Sequence, residues 1–244
     1  MLEIKNLDVS VEDKQIIKNL NLKIGPGEVH AIMGPNGSGK STIAHTLAGK
    51  PNYLVESGNV EFKNEDLIAK DPYERSLLGL FLAFQYPIEL PGVTNASYLK
   101  QILNAHRKSR GENPIDAGEF LKILKEKSKN LNIPMDMHSR FVNAGFSGGE
   151  KKKNEVLQMD LLDPSLIIMD ETDSGLDVDA LKSTSEAVNK LRDGKRSFLI
   201  ITHYLRLLEY IEPDHVHVFG DGSIIESGDK SLASRIDNEG YEVK

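Results

Sequence analysis

The sequence contains no cysteine. No disulfide can form, and neither a thiolate-held zinc site nor an iron–sulfur cluster can be built from this chain alone. Long apolar runs are also missing. Every hydrophobic stretch is far shorter than the roughly 20 residues that a bilayer-spanning helix needs. Basic charge is not in excess: 30 Lys and Arg stand against 37 Asp and Glu, a net charge of -7. Non-specific nucleic-acid binding is therefore disfavoured. Met1 is followed at once by Leu2, Ile4, Leu7 and Val9, the pattern of a domain's first strand, so no leader peptide is expected. What is present is a globular composition over 244 residues, 39% hydrophobic and 27% charged, enough for a core without covalent staples.

The most informative stretch is Gly34-Pro35-Asn36-Gly37-Ser38-Gly39-Lys40-Ser41-Thr42, which fits G-x-x-x-x-G-K-[ST] without mismatch. The glycines let successive backbone N–H groups turn inward as an anion nest. Lys40 brings a compact positive charge to a nucleotide's terminal phosphates, and the Ser41 hydroxyl suits Mg²⁺. Val29, Ala31, Ile32 and Met33 read as a buried strand before the loop. Ile43, Ala44, Leu47 and Ala48 read as a helix after it, ended by Gly49.

Two or three short strands are expected over residues 2–24, and another from Gly58 to Phe62. Leu80 to Phe84 reads as a buried strand ending at Gln85, which could join a Mg²⁺ shell or orient an attacking water. Residues 94–133 carry helical spacing twice, with Gly111 to Pro114 between, so a helical insertion is expected. Ser147-Gly148-Gly149-Glu150 has capping-box spacing, and the helix it opens should run to Leu162. Its two glycines clear side chains from a helix N-terminus, as close approach to a phosphate requires. Leu166 to Met169 is a buried strand that ends in Asp170 and Glu171. Such carboxylates need compensation, which a Mg²⁺ at Asp170 would give, leaving Glu171 to act as general base. Asp177 is a candidate N-cap for a helix to Arg192. His203 ends a strand over Ser197–Thr202, as Gln85 and Asp170 end theirs. In an open α/β sheet, ligands bind at such carboxyl ends. The other six histidines read as structural or surface; His215 and His217 share a strand face with no evident third ligand.

These residues, over nearly the whole chain, resemble those of ATP-binding-cassette ATPases. Gly34 to Thr42 matches the Walker A loop, Gln85 the Q-loop, and Phe146 to Glu150 the signature motif, with Phe where Leu is more usual. Asp170 and Glu171 match Walker B and its following glutamate, Ser174 to Asp177 the D-loop, and His203 the switch histidine. Within that superfamily, Glu28 to Met33, Phe84 to Pro87, Pro91 to Val93, Gly145 to Lys152, Asp173 to Asp177, Ser197 to Tyr204 and Pro213 to Val218 resemble the SufC family, the ATPases of the SUF system for iron–sulfur cluster assembly.

The resemblance implies an α/β P-loop NTPase of the ABC type: a parallel core sheet, an N-terminal antiparallel β layer and an inserted α-helical subdomain at about 88–162, all within one domain over 1–244. It implies ATP and Mg²⁺ as ligands. Lys40 and the loop amides would hold phosphates, and Ser41, Gln85 and Asp170 the metal. Glu171 would polarise water and His203 would hold γ-phosphate and water in line. Ser147, Gly148, Gly149, Glu150 and Asp177 would meet the nucleotide of a second copy in an ATP-dependent head-to-tail dimer. SufB-like and SufD-like scaffold proteins are the implied partners, without nucleic acid or direct membrane insertion, in the cytoplasm or an organelle stroma. A membrane transporter's ATPase subunit would carry the same motifs; a DNA-associated ATPase would need a long coiled-coil insertion that 244 residues cannot hold. Two finer expectations follow. No aromatic lies between Met1 and Tyr53 to stack on adenine near Val11, so base choice should be loose. Lys151 or Lys152 could pair at rest with Glu171 or Asp173.

Overall fold

The structure, a computed structural model, describes residues 1–241. The chain opens with strands β1 (Leu2–Val11), β2 (Lys14–Ile24) and β3 (Val29–Met33), then helix α1 (Lys40–Ala48). Next come β4 (Tyr53–Phe62), β5 (Glu65–Asp66), α2 (Pro72–Leu78), β6 (Leu80–Ala83) and β7 (Leu90–Thr94). Helices α3 (Asn95–Ser109) and α4 (Ala117–Asn130), a 3₁₀ turn at Met135–Ser139, β8 (Phe141–Val142) and α5 (Gly148–Leu162) follow. The last third holds β9 (Leu166–Asp170), α6 (Val178–Asn189), β10 (Ser197–Ile201), α7 (Leu205–Tyr210), β11 (His215–Gly220), β12 (Ser223–Gly228) and α8 (Lys230–Glu239).

These elements form two compact units: Met1–Gln85 with Pro164–Asp173 and Arg192–Lys244, and Tyr86–Asp163 with Ser174–Leu191. The first contains a six-stranded sheet in the order β12-β11-β3-β10-β9-β6 and an antiparallel sheet in the order β2-β1-β4-β5. Five strands of the larger sheet are parallel, and β12 is antiparallel to β11. Every residue of β3, β9 and β10 is buried. Parallel strands covered on both faces need such near-continuous apolar runs.

The antiparallel layer has two long strands where two or three short ones were expected. Apolar residues at Leu2, Ile4, Leu7 and Val9 include a three-residue step that a strict alternation would send to the wrong face. A register shift between Ile4 and Leu7, with Asn6 at φ 49°, restores the inward face. The step from Ile17 to Leu20 is handled alike, with Asn19 at φ 48°. The strand read from Gly58 is the second half of β4, whose Tyr53 and Val55 pair with Val11 and Val9. Gly58 is required: a Cβ there would lie 2.5 Å from the Asn6 carbonyl oxygen.

The second unit gathers α3, α4, α5, α6 and the β7–β8 pair. It takes α6 as well as the insertion read from the sequence. Its interior carries a polar network. Asn95 Nδ2 donates to Asn154 Oδ1 at 2.8 Å and meets His138 Nδ1 at 3.1 Å; His138 Nε2 lies 2.8 Å from Ser128 Oγ. Asn154 in turn donates to Asn143 Oδ1 at 3.1 Å. Buried polar groups persist when partnered in this way, and they fix one register of packing.

Candidate functional site

The Gly34–Thr42 loop joins β3 to α1, as strand and helix signals required. Gly39 caps α1 with φ 106°, and no side chain caps the helix, so its N-terminal amides are open to an anion. Gly34 is forced by space: an added Cβ would lie 2.1 Å from the Phe219 carbonyl oxygen. Lys40 is buried and folded back, its Nζ donating to the Gly34 and Pro35 carbonyls at 2.8 and 2.9 Å. Burial pushes its ammonium below the usual lysine range, and Glu171 and Asp170 oppose that shift. Ser38 Oγ is buried and has no hydrogen-bond partner, so it is a group ready for a ligand oxygen.

Ser41 Oγ donates to Asp170 Oδ1 at 2.9 Å, from the start of α1 to the end of β9. A hydroxyl and a carboxylate are hard oxygen donors of the kind Mg²⁺ takes alongside phosphate and water, so the pair fits that ion. Glu171 follows in a left-handed conformation, φ 43°, with its N–H donating to the Ile201 carbonyl at 2.8 Å. Gln85 Nε2 donates to Glu171 Oε2 at 2.9 Å. His203 Nδ1 lies 3.5 Å from Glu171 Oε1, an ion-pair distance without hydrogen-bond geometry, and makes no other hydrogen bond. Adjacent strands β6, β9 and β10 thus bring Gln85, Asp170, Glu171 and His203 to one edge of the sheet.

In the helical unit, the Ser147 side chain accepts from the Glu150 N–H at 3.2 Å, and Glu150 Oε2 accepts from the Ser147 N–H at 2.7 Å. The capping box expected at Ser147-Gly148-Gly149-Glu150 is present, and α5 ends at Leu162 as read. The Ser147 hydrogen bonds hold the Glu150 carboxyl below its usual range, helped by Arg140. Asp177 caps α6 by accepting from the Ala180 N–H at 2.7 Å. That helix stops at Asn189, three residues short of the expected Arg192. Lys151 reaches Glu89 at 2.8 Å and Lys152 forms a buried pair with Glu155 at 3.0 Å, two partners the sequence reading had not considered.

Two residues, His45 and Tyr241, escaped the sequence reading as site residues, and a third, Asp173, entered it only as a possible partner of Lys151 or Lys152. Asp173 accepts from Thr202 Oγ1 at 2.8 Å, and burial raises its carboxyl above the usual range. His45, read as ordinary, sits with Nε2 3.9 Å from Asp170 Oδ2 and Nδ1 2.9 Å from the Tyr53 hydroxyl. Tyr241 lines a pocket of about 460 Å³ with Lys14, Gln15, Ile16, Asn36 and Ser38. Burial raises its phenol, Asp237 adds to that, and a hydrogen bond with the Gly34 backbone opposes it. No local pattern near the chain's end could have linked Tyr241 to the loop; only the fold does.

This phosphate loop, joined to strand-end Gln, Asp-Glu and His, defines an ATP-binding cassette. The family model described as "ABC transporter" matches residues 17–174, and the chain belongs to that family. It is similar along its length to a protein of Escherichia coli strain K12 named "Probable ATP-dependent transporter SufC", with 56% identity over 99% of this chain and 97% of the relative. The "Probable ATP-dependent transporter ycf16" of Antithamnion sp. is 50% identical over 99% of this chain and 96% of its own length. A solved structure described as a "Dimeric structure of a post-hydrolysis state of the ATP-binding cassette MJ0796 bound to ADP and Pi" has the same fold. Its TM-score is 0.80 at 21% identity, over 94% of this chain and 99% of that one.

Proposed function

We propose that the chain is a Mg²⁺-dependent ATPase subunit that drives a SufB–SufD-like scaffold during iron–sulfur cluster assembly. The observation that carries this reading is the cluster of Ser41 with Asp170 and of Gln85 with Glu171 and His203 beside the phosphate loop, in a chain 56% identical to a SufC along its length. The chain works in this reading as one ABC ATPase domain over 1–244, with its helical subdomain at about 88–162 inserted.

Glu171 accepts the proton of the attacking water as its oxygen bonds to the γ-phosphorus and the bridge to the β-phosphate breaks, giving ADP and phosphate. Gln85 and His203 flank that carboxylate and hold it and the water in place. Lys40 leaves the Gly34 and Pro35 carbonyls for the phosphates, and Ser38 finds its missing partner there. Mg²⁺, held by Ser41 and Asp170 with Gln85 nearby, would supply charge neutralisation at the phosphate oxygens. Positioning and electrostatics carry the rate. The Ser147–Glu150 turn and Asp177 complete the site of a second copy, so ATP closes a head-to-tail dimer and its hydrolysis releases it.

Partner docking is supported by the apolar side chains exposed just after Gln85. Tyr86 is 73% and Ile88 61% exposed, and Val93 and Phe141 are exposed on the β7–β8 pair. Among the described residues no helix is long and apolar enough to cross a membrane. The relatives' names, which call them probable ATP-dependent transporters, favour a second reading, the nucleotide-binding subunit of a membrane transporter. Co-purification of the tagged chain from soluble and membrane fractions separates the two. A stoichiometric soluble partner that binds iron–sulfur clusters is expected; a polytopic membrane partner would replace assembly with transport.

A further inference from the structure

At the far end of the parallel strands from the phosphate loop, β3 and β11 begin side by side with His30 and His215 in register. The turn at Gly25-Pro26-Gly27 delivers Glu28 just ahead of β3. Glu28 Oε2 accepts from the Gly25 N–H at 2.5 Å and lies 3.0 Å from His30 Nε2. The His30 and His215 rings are tilted against each other with centroids 4.6 Å apart. One ligand-type atom from each of Glu28, His30 and His215 lies within 4.8 Å of the other two. Sequence alone gave the His215 and His217 face no third ligand; the fold supplies Glu28 and His30 from the other end of the chain.

We propose that Glu28, His30 and His215 form a binding site for a divalent transition-metal ion of the zinc type, separate from the phosphate-loop site. Two imidazoles and one carboxylate, with a position left for water, form a donor set that zinc takes and Mg²⁺ does not favour. Bonds of about 2.0–2.1 Å put tetrahedral zinc ligands about 3.3 Å apart. The present spacing closes to that by rotating the two outer side chains. His215 is exposed and the Glu28 side chain is 40% exposed, while His30 stays fixed in the core.

His30 is fixed by a wire of hydrogen bonds. Its Nδ1 lies 2.9 Å from His217 Nε2, and His217 Nδ1 lies 2.8 Å from Ser227 Oγ. With a metal on His30 Nε2, the ring proton sits on Nδ1 and is donated to His217 Nε2; His217 Nδ1–H is donated to Ser227. Without metal, Nε2–H faces the Glu28 carboxylate and the wire runs the other way, from the Ser227 hydroxyl to His217 and on to His30. Both arrangements satisfy every nitrogen with the same number of protons. A metal-binding histidine whose second nitrogen is anchored is the usual support of such a site. The charges agree: the Glu28 carboxylate, held by the Gly25 N–H, faces the His30 ring nitrogen. Asp214, whose carboxylate accepts from the Val29 N–H at 2.8 Å, adds a second negative charge nearby. Four steps along the chain lead from His30 to Gly34, about 13 Å at the rise of a strand.

The test is a calorimetric titration of the full chain with Zn²⁺ in Mg²⁺-containing buffer, repeated with Co²⁺ read by its visible absorption. One ion per chain is expected. At least about tenfold weaker binding is expected for His215→Ala and Glu28→Gln, with no change for Asp170→Asn. His30→Ala opens the buried wire and risks the fold, so the exposed His215 carries the test. No stoichiometric binding to the wild-type chain would overturn the site, as would equal affinity in His215→Ala.

Discussion

Gln85 Nε2 and Glu171 Oε2 are joined at 2.9 Å, so the ends of neighbouring strands β6 and β9 are tied by the two side chains proposed to handle water. Glu171 is held there in a left-handed backbone, φ 43°, which a residue other than glycine adopts at a cost of about 1–3 kcal/mol. Such strain is retained where a side chain must be aimed. Glu171→Gln keeps the shape and removes the base. Hydrolysis is expected to fall by about 10²–10⁴-fold with ATP affinity retained. Phosphate release and equilibrium nucleotide binding, measured on the same preparation, check this; hydrolysis at the normal rate would take Glu171 out of its role.

Gly34→Ala places a Cβ 2.1 Å from the Phe219 carbonyl oxygen, and backbone cannot yield as a flexible side chain can. Loss of nucleotide binding is expected, with a lower melting temperature. Gly37→Ala meets open space and faces only its φ of 81°, worth about 1–2 kcal/mol. A thermal melt and a nucleotide titration of both variants should place Gly34 well below Gly37.

Tyr241 changes the outlook on base binding. The expectation of loose base choice rested on the lack of an aromatic before Tyr53, yet the fold brings an aromatic to the loop from the other end of the chain. Stacking tolerates every base and is worth about 1–3 kcal/mol. Tyr241→Ala is therefore expected to weaken ATP and GTP by similar factors, leaving their ratio nearly unchanged. Affinities for both nucleotides, compared between wild type and variant, decide it.

His138 makes the helical unit acid-sensitive. Burial lowers its folded pKa below the ordinary 6.5, with Asp136 in opposition. The unfolded chain therefore binds the proton first as pH falls. Stability is fully present above about 6.5 and declines as pH drops from there toward the lowered folded value. Urea unfolding at pH about 7.5 and about 5.5 should show a larger acid loss in wild type than in His138→Gln. Equal losses would remove His138 as a cause.

Much of this site was legible because its signals are local. A glycine-spaced loop between strand and helix signals, a Ser-x-x-Glu cap and an apolar run ending in two acids are each contained in a few residues. Strand lengths were less legible, since Asn6 and Asn19 break the alternation with bulges that pairing with a neighbour makes good. His45 and Tyr241 had no local signal at all, and Asp173 was read only as a possible lysine partner; their roles come from what lies across from them.

The sequence by itself determined the phosphate loop, the capping box at Ser147–Glu150 and the buried strands, because backbone freedom, hydrogen bonding at helix starts and apolar runs act over one to four residues. Only the tertiary structure decided that Ser41 meets Asp170, that Gln85 and His203 flank Glu171, and that His30 and Glu28 stand beside His215. Those pairs lie far apart along the chain, and parallel strands, each needing a crossover, set their neighbours by the order in which they enter the sheet.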